Sequence, residues 1–309
     1  MTKERVRFIL PFALFIAILA VSTASIFIRF AQTDAPSLVI AALRLIFASL
    51  ALAPVALTRY RTELGALTHR QLLLGLLSGL FLAIHFATWI SSLEYTTVAS
   101  SVVFVSTGPL WVALLSPFFL REPLTRPVMI GMSLALVGGI IIGLADACSW
   151  NNGLACPSIN QILQGRMLFG NFLALIGAWM VAGYLMIGRK LRAGISLVPY
   201  IFLVYGMAAV CLLIIVLVGR ESLFGYHWLT YVWILLLALV PQLIGHSTYN
   251  WALAYLSAAF VAVMTLGEPI GSSILAYFIL QEAPTITVIA GGVLILIGIY
   301  LSVRGNKLT

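Results

Sequence analysis

Two stretches that repeat each other decide the fold of this protein. Residues 95–138 read YTTVASSVVFVSTGPLWVALLSPFFLREPLTRPVMIGMSLALVG, and residues 255–298 read YLSAAFVAVMTLGEPIGSSILAYFILQEAPTITVIAGGVLILIG. Aligned without a gap at an offset of 160, they share fourteen identical residues. Leucine matches would mean little between apolar segments, but the matches also include a proline, a glutamate, a threonine and glycines. Identities of this kind, in register, indicate an internal repeat.

The composition of the whole chain is that of a membrane protein. Of its 309 residues, 62% are hydrophobic and only 8% are charged, whereas an ordinary soluble domain carries about 25% charged residues. The mean hydropathy is +1.12. Too few polar residues remain to cover a surface in water, which excludes a soluble enzyme, a disordered protein and a nucleic-acid-binding protein. The chain is therefore predicted to cross the membrane several times.

The hydrophobicity pattern predicts ten membrane-spanning helices, because a span needs roughly 20 apolar residues. The first apolar run is too long for a cleaved signal peptide and is predicted to be a retained span. The repeat then divides the chain into a first five-helix half (1–150), an extracytoplasmic loop (151–165) and a second five-helix half (166–309). The predicted spans are 8–30, 36–57, 70–93, 97–120, 124–144, 166–188, 195–218, 228–253, 257–280 and 284–303.

The distribution of lysine and arginine predicts the orientation. If the N-terminus is cytoplasmic, 13 of the 17 basic residues lie in cytoplasmic segments, as the positive-inside rule requires. Both termini are therefore predicted to be cytoplasmic, in a multi-pass protein of the inner or plasma membrane. The net charge of +8 marks topology and does not indicate an anionic partner.

An odd number of spans in each half means that the second half enters the membrane inverted relative to the first. Inverted repeats are typical of secondary transporters, in which the two halves exchange conformations and so open the protein to alternate sides. A channel or a receptor does not need this duplication.

The repeated motifs resemble the drug/metabolite transporter superfamily, EamA branch. The resemblance covers both halves and implies a ten-helix bundle with a central cavity and peripheral fifth and tenth helices. It also implies transport of amino acids, other small metabolites or drugs, often outward. The two halves differ chemically, because Gly108-Pro109 corresponds to Glu268-Pro269, so two equivalent sites are not expected. The motifs that carry the resemblance are residues 93–100, 108–109, 119–124 and 131, repeated as 254–258, 268–269, 280–282 and 291.

Two charged residues stand out because ionisable groups inside a membrane are costly. Glu268 lies near the middle of the ninth predicted span, where it could bind a proton or the ammonium group of a substrate; it is the candidate for proton coupling. Pro269 beside it predicts a local kink. Arg44, in the second predicted span, could extend to the membrane surface, pair with Glu268 or hold a substrate carboxylate. The alternative for Glu268 is a protonated, structural hydrogen-bonding role.

Polar and aromatic residues at helical spacing form further candidates for substrate binding. His85 and Trp89 share one face of the third span, and Gln242, His246 and Asn250 share one face of the eighth. Such faces are expected to line the bundle interior or a wet cavity. An aromatic wall could bind a flat or cationic ligand, although aromatic residues are common in membrane spans. Trp111 joins the candidates because it shares a face with Thr107 and Gly108.

Some polar residues have simpler predicted roles. Cys148 and Cys156 share the extracytoplasmic loop, where they form either a disulfide or two free thiols. Glu122 and Glu282 are predicted to cap turns, because they recur on opposite sides of the membrane. Repeated glycines, among them Gly138 and Gly298, are predicted to allow close helix packing.

The sequence contains no P-loop, no metal-ligand cluster and no nucleophile–base pair, so we predict neither ATP-driven transport, nor an enzyme, nor a cofactor. The predicted function is secondary transport of a small metabolite, with amino acids favoured, in the export direction and with possible proton coupling. The alternatives are a channel-like uniporter, a multidrug or cation exporter, and a membrane enzyme or lipid flippase. The expected partners are a small-molecule substrate, protons and the lipid bilayer, in a monomer without an obligate protein partner.

Overall fold

The structure is a computed structural model that describes residues 3–95, 101, 104–122, 124–147, 166–280 and 286–305. Within these ranges the chain is helical, without a β-strand. The helices of the first half are α1 (Lys3–Ser22), α2 (Ala24–Gln32), α3 (Ser37–Arg59), α4 (Arg61–Gly65), α5 (His69–Tyr95), α6 (Gly108–Phe119) and α7 (Arg126–Ala147). Those of the second half are α8 (Arg166–Arg192), α9 (Leu197–Val218), α10 (Trp228–Leu237), a π-helix (Ala238–His246), α11 (Ser247–Ala252), α12 (Ala258–Thr265), α13 (Glu268–Leu280) and α14 (Ile286–Gly305).

In the part of the chain that the structure describes, seven helical segments are long and apolar enough to cross a membrane, and three shorter apolar helices accompany them. Each of the ten corresponds to one predicted span. The long segments are Phe8–Gln32, Ser37–Arg59, His69–Tyr95, Leu168–Arg192, Leu197–Val218, Trp228–Ala252 and Ala258–Ile279, and the shorter ones are Gly108–Phe119, Arg126–Gly138 and Ile289–Gly298.

Glycines bring α7 and α14 together in a symmetric way. A Cβ atom on Gly138 would collide with the carbonyl oxygen of Gly291, and one on Gly298 would collide with the carbonyl oxygen of Gly131. At the offset of 160, Gly131 corresponds to Gly291 and Gly138 to Gly298, so each contact maps onto the other. The predicted packing role of these glycines is confirmed, and the two helices are related by a local two-fold axis.

The remaining long helices pair across the two halves. α5 packs along α8, α3 packs along α9, and α1 packs against the π-helix. Close approach again depends on glycine: a Cβ atom on Gly79 of α5 would lie 2.7 Å from the carbonyl oxygen of Val204 on α9. The interior between the halves is therefore lined mainly by α3, α5, α8, α9 and the π-helix.

Both repeats contain a broken helix at the same place. Turns at 106–107 and 266–267 interrupt the segments that we predicted as continuous spans over 97–120 and 257–280. Pro109 and Pro269 each stand second in the helix that follows, where their missing N–H groups cost no helical hydrogen bond. The predicted kink at Pro269 is thus a full break, which places Glu268 at the N-terminus of α13.

The eighth predicted span also departs from a regular helix. Its middle, Ala238–His246, is a π-helix that contains Pro241. Because proline cannot donate the regular i→i−4 hydrogen bond, it favours a local change in winding. π-Helical turns are rare and occur frequently at functional sites. This one carries two of the predicted site residues, Gln242 and His246.

Candidate functional site

Arg44 lies at the centre of the interior and is fully buried, with 0% of its surface exposed. Its Nε donates a hydrogen bond to Oε1 of Gln242 at 3.0 Å. Its Cζ lies 4.2 Å from the centroid of the Phe86 ring, a distance typical of a cation–π contact. Arg44 therefore joins α3 to α5 in the first half and to the π-helix in the second.

The rest of the guanidinium lacks a partner. Nη1 and Nη2 of Arg44 and Nε2 of Gln242 are shielded from solvent and form no hydrogen bond with the residues that the structure describes. Among the described residues, no carboxylate lies within ion-pair distance of Arg44. The possible direct pairing of Arg44 with Glu268 is therefore not made in this conformation.

Glu268 stands close enough to Arg44 for their charges to interact. The residue is partly exposed, and its backbone carbonyl accepts a hydrogen bond from Ser22 Oγ at 3.3 Å. As the first residue of α13, its carboxylate lies at the end of a helix where negative charge is stabilised. Among the described residues, neither Glu268 nor Arg44 takes part in an ion pair.

His246 extends the cluster on the far side of Phe86. Its ring meets Phe86 edge to face with centroids 5.4 Å apart, and it meets Tyr249 in the same way at 6.5 Å. The Tyr249 hydroxyl is buried without a hydrogen-bond partner. The structure therefore brings Arg44, Gln242, His246 and Glu268 into one neighbourhood.

His85 and Trp89 form a stacked pair one helical turn apart on α5. Their rings are 5.9 Å apart and inclined by 14°. Nδ1 of His85 lies 2.9 Å from the carbonyl oxygen of Gly177 on α8. Because a carbonyl only accepts, Nδ1 must carry the hydrogen, which leaves Nε2 of the neutral ring as an acceptor. Nε1 of Trp89 is a further buried donor without a partner.

The side chain of Asn250 is engaged in hydrogen bonds between helices, which its helical spacing did not predict. Its amide nitrogen donates to the hydroxyl oxygens of Tyr184 and Tyr205 and to the backbone carbonyl of His246. Its own backbone carbonyl accepts from Arg192 Nε at 3.0 Å. The side chain therefore ties α11 to α8 and α9, and a role in substrate binding stays a prediction.

Trp111 lies in a separate aromatic group. Its ring meets Trp179 edge to face at 5.6 Å, and its Nε1 donates to Thr107 Oγ1 at 3.2 Å. Within the part of the chain that the structure describes, no ring contact or hydrogen bond joins Trp111 to the Arg44 cluster. Its predicted contact with substrate remains a prediction.

The structure identifies one polar connection that the sequence did not reveal. Glu122 Oε1 accepts from Arg189 Nε at 2.6 Å, and Glu122 Oε2 accepts from the backbone N–H of Ala258 at 3.2 Å. Glu122 thus caps α12 of the opposite half, whereas its sequence position predicted a cap on its own turn. Arg189 also donates to the carbonyl of Leu253 at 2.9 Å. In the sequence, Arg189 is marked only by its identity with Arg29 at the offset of 160, which does not indicate Glu122 as its partner.

Three predicted residues lie outside the described ranges. They are Cys148 and Cys156, the candidate disulfide, and Glu282, the predicted turn cap of the second half. Cys211, on α9, is a free, half-buried thiol. Among the described residues, no group of histidine, cysteine, aspartate or glutamate side chains could hold a metal ion.

A helical membrane protein built from two related halves around a buried polar centre has the architecture that is typical of secondary transporters. Comparison with known families makes this assignment specific, since the model of the EamA-like transporter family matches residues 9–144 and 168–304. The chain belongs to this family, as the repeated motifs predicted, and is a multi-pass membrane transporter.

Similar proteins agree with this assignment. An uncharacterized transporter of Archaeoglobus fulgidus is 23% identical over 293 residues, which cover 94% of this chain and 95% of the relative. A second uncharacterized transporter of the same organism is 21% identical over 212 residues, 68% of each chain. A solved crystal structure of a protein covers 95% of this chain and 96% of its own, with a TM-score of 0.75 and 18% identity. The last similarity shows a shared fold.

Proposed function

We propose that the protein is a secondary transporter of the inner or plasma membrane that exports a small amphipathic metabolite, an amino acid or a related compound. The observation that carries this proposal is the pair Arg44 and Glu268. The cation is fully buried, the acid interacts with it electrostatically, and among the described residues the two do not form an ion pair. A zwitterionic substrate could satisfy both charges at once.

The proposed topology has ten spans in two inverted halves, residues 1–150 and 166–309, with residues 151–165 and the other odd-numbered connections outside. Seven long and three short apolar helices support this count. The bias of lysine and arginine supports cytoplasmic termini.

Alternating access is the proposed mechanism. The reciprocal glycine contacts between α7 and α14 support a two-fold relation between the halves, about which they could exchange conformations. Broken helices at the centre of each half are typical of transporter binding sites. The ion pair of Glu122 with Arg189 links the two halves at the predicted cytoplasmic end, where it would have to open for substrate to enter.

Proton coupling is assigned to Glu268. A carboxyl group next to a buried cation can carry a proton in one conformation and release it in another, so a pH gradient could drive the cycle. The neighbouring aromatic rings of Phe86, His246 and Trp89 would contact the apolar part of the substrate.

The test is counterflow in proteoliposomes. Vesicles preloaded with an unlabelled amino acid should accumulate the labelled compound, with saturation, and an imposed pH gradient should change the rate. Glu268→Gln should abolish the dependence on pH gradient, whereas Asp34→Asn, on the predicted outer loop, should retain it. Pre-loading without any stimulation of uptake would instead favour the channel-like uniporter, and unchanged proton dependence in Glu268→Gln would remove Glu268 from the mechanism.

A further inference from the structure

Unpaired hydrogen-bond donors predominate in the buried centre. Among the described residues, Arg44 Nη1 and Nη2, Gln242 Nε2, Trp89 Nε1 and the Tyr249 hydroxyl are buried without a partner, and Asn250 Oδ1 is a buried acceptor without one. A buried donor left unpaired costs about 1–3 kcal/mol, and more when it is charged. A site that retains several such donors is complementary to a ligand that brings acceptor oxygens.

The orientation of the guanidinium limits how such a ligand can bind. Nε of Arg44 is already bound to Gln242 Oε1, and Phe86 covers one face of the guanidinium. The free edge is the one formed by Nη1 and Nη2. Two parallel N–H groups at this edge match the two oxygens of a carboxylate.

The charge balance selects a carboxylate over a phosphate. Arg44 and Glu268 together are neutral when both are ionised, so a zwitterion adds no net charge to the interior. A phosphate dianion would leave at least one uncompensated negative charge beside Glu268, which is costly in a medium of low dielectric constant.

We infer that the Nη1–Nη2 edge of Arg44, held in place by Gln242 and Phe86, is the binding site for a substrate carboxylate. This inference rests on the proposed function and specifies its substrate class: compounds with a free carboxylate, bound end-on by arginine. Glu268 would then be the group that interacts with the substrate's ammonium group.

Matched ligands test the inference in binding assays on the purified full-length protein. Three sets are used: L-tryptophan, L-leucine and L-alanine, each with its primary amide and with the amine that lacks the carboxylate. In at least one set the acid should bind at least about tenfold more tightly than the amide, because the amide carries no negative charge and offers only one acceptor oxygen to the two Nη groups. If no acid binds more tightly than its amide in any set, the inference is wrong.

Substitutions at the site separate its geometry from its charge. Arg44→Lys keeps the positive charge but removes the two parallel N–H donors that allow bidentate binding. This variant should therefore lose the preference for the acid over the amide. Gln242→Glu places a competing carboxylate next to the guanidinium. It should also remove the preference for the acid over the amide, although Arg44 is still present. Arg29→Gln, an exposed cation elsewhere, serves as the control and should retain the full preference. An acid preference that persists in both Arg44→Lys and Gln242→Glu would overturn the inference even if either variant were poorly stable.

The two proposals fail in different ways. Saturable counterflow without any preference for acids would leave the transport function intact and refute the carboxylate site. Acid binding that depends on Arg44 without counterflow of any compound would support the site and refute alternating-access transport. Glu268→Gln should leave the preference for the carboxylate unchanged, and its loss in that variant would also count against the Arg44 site.

Discussion

Glu122 and Arg189 join the two halves of the molecule at one end. Their 2.6 Å ion pair is mostly buried, with 21% and 16% of the respective side chains exposed. The second carboxylate oxygen of Glu122 accepts from the backbone of Ala258, where α12 begins. One side chain of the first half therefore holds two elements of the second, at the end that the basic residues predict to be cytoplasmic.

Removing the contacts of Glu122 should lower the stability of the protein. We expect Glu122→Gln to lower the free energy of unfolding by about 1–3 kcal/mol, because a charge-assisted hydrogen bond is lost from a partly buried place. Thermal unfolding in detergent would measure the change. Glu63→Gln is the matched control: Glu63 accepts from the backbone N–H of Ser196 at the same end but in an exposed setting, so its effect should be smaller.

Exchanging the two charges gives a sharper result. The double variant Glu122→Arg with Arg189→Glu should regain the ion pair. It should lose both the cap on α12 and the hydrogen bond to Leu253, since arginine cannot accept from Ala258 and glutamate cannot donate to the Leu253 carbonyl. Its stability should therefore lie between that of the single variants and that of the wild type, and full recovery would show that neither of these two hydrogen bonds contributes.

The symmetric glycine contacts predict equal effects in the two halves. Gly138→Ala and Gly298→Ala each place a methyl group against a backbone carbonyl of the opposite helix, and overpacking of this kind typically costs about 1–3 kcal/mol. Gly206→Ala, in α9, meets no atom within 4 Å and should be neutral or slightly stabilising, because alanine favours helix. Thermal unfolding of the three variants checks this, and a harmless Gly138→Ala would contradict the close packing.

The stabilisation that Asp34 provides at the predicted outer end should depend on pH. Oδ2 of Asp34 accepts from the Thr230 hydroxyl at 2.8 Å and from the His227 backbone at 2.7 Å. These two hydrogen bonds hold the pKa of the Asp34 carboxyl below its ordinary value of 3.8. A carboxyl whose pKa is lower in the folded than in the unfolded protein stabilises the fold at any pH above its pKa in the unfolded protein. This stabilisation is lost as the pH falls through its pKa in the folded protein. The difference in melting temperature between wild type and Asp34→Asn should be present at pH 6 and should shrink below about pH 4. A difference that is independent of pH would contradict the role of these hydrogen bonds.

The tautomer of His85 predicts which substitutions its site tolerates. The Nδ1–H group donates to Gly177 on α8, and an asparagine amide can place a donor near the same position. We expect His85→Phe to cost about 1 kcal/mol of stability through the lost hydrogen bond, and His85→Asn to cost less. Parallel melting curves would compare them, and a larger loss in His85→Asn than in His85→Phe would indicate that ring packing on Trp89 dominates.

Much of the architecture was predictable because it depends on local sequence. Apolar runs of sufficient length mark spans wherever they occur, and the offset of 160 identified the glycines that pack α7 on α14. Arg44 and Glu268 were recognisable because a charge inside an apolar run is costly regardless of its neighbours. We predicted a kink at Pro269 and continuous helices elsewhere, whereas the helices are fully interrupted before Gly108 and before Glu268. Pro269 alone predicts a kink, and the adjoining turn depends on how α12 and α13 pack.

Other features depend on contacts between distant parts of the chain. Glu122 was predicted to cap its own turn, but it caps α12, which begins 136 positions later. Asn250 shares a helical face with His246, yet its amide is bound to tyrosines of α8 and α9. Helical spacing shows which residues share a face but not which neighbour that face meets.

The sequence by itself determined the membrane class, the duplicated organisation, the family and the short set of buried charged residues, because each follows from composition or from positions compared along the chain. Only the tertiary structure decided that Arg44 meets Gln242 and Phe86, that its Nη1–Nη2 edge is unpaired, and that Glu122 bridges the two halves. Hydrogen bonds act over about 3 Å, and only folding brings residues nearly 200 positions apart within that distance.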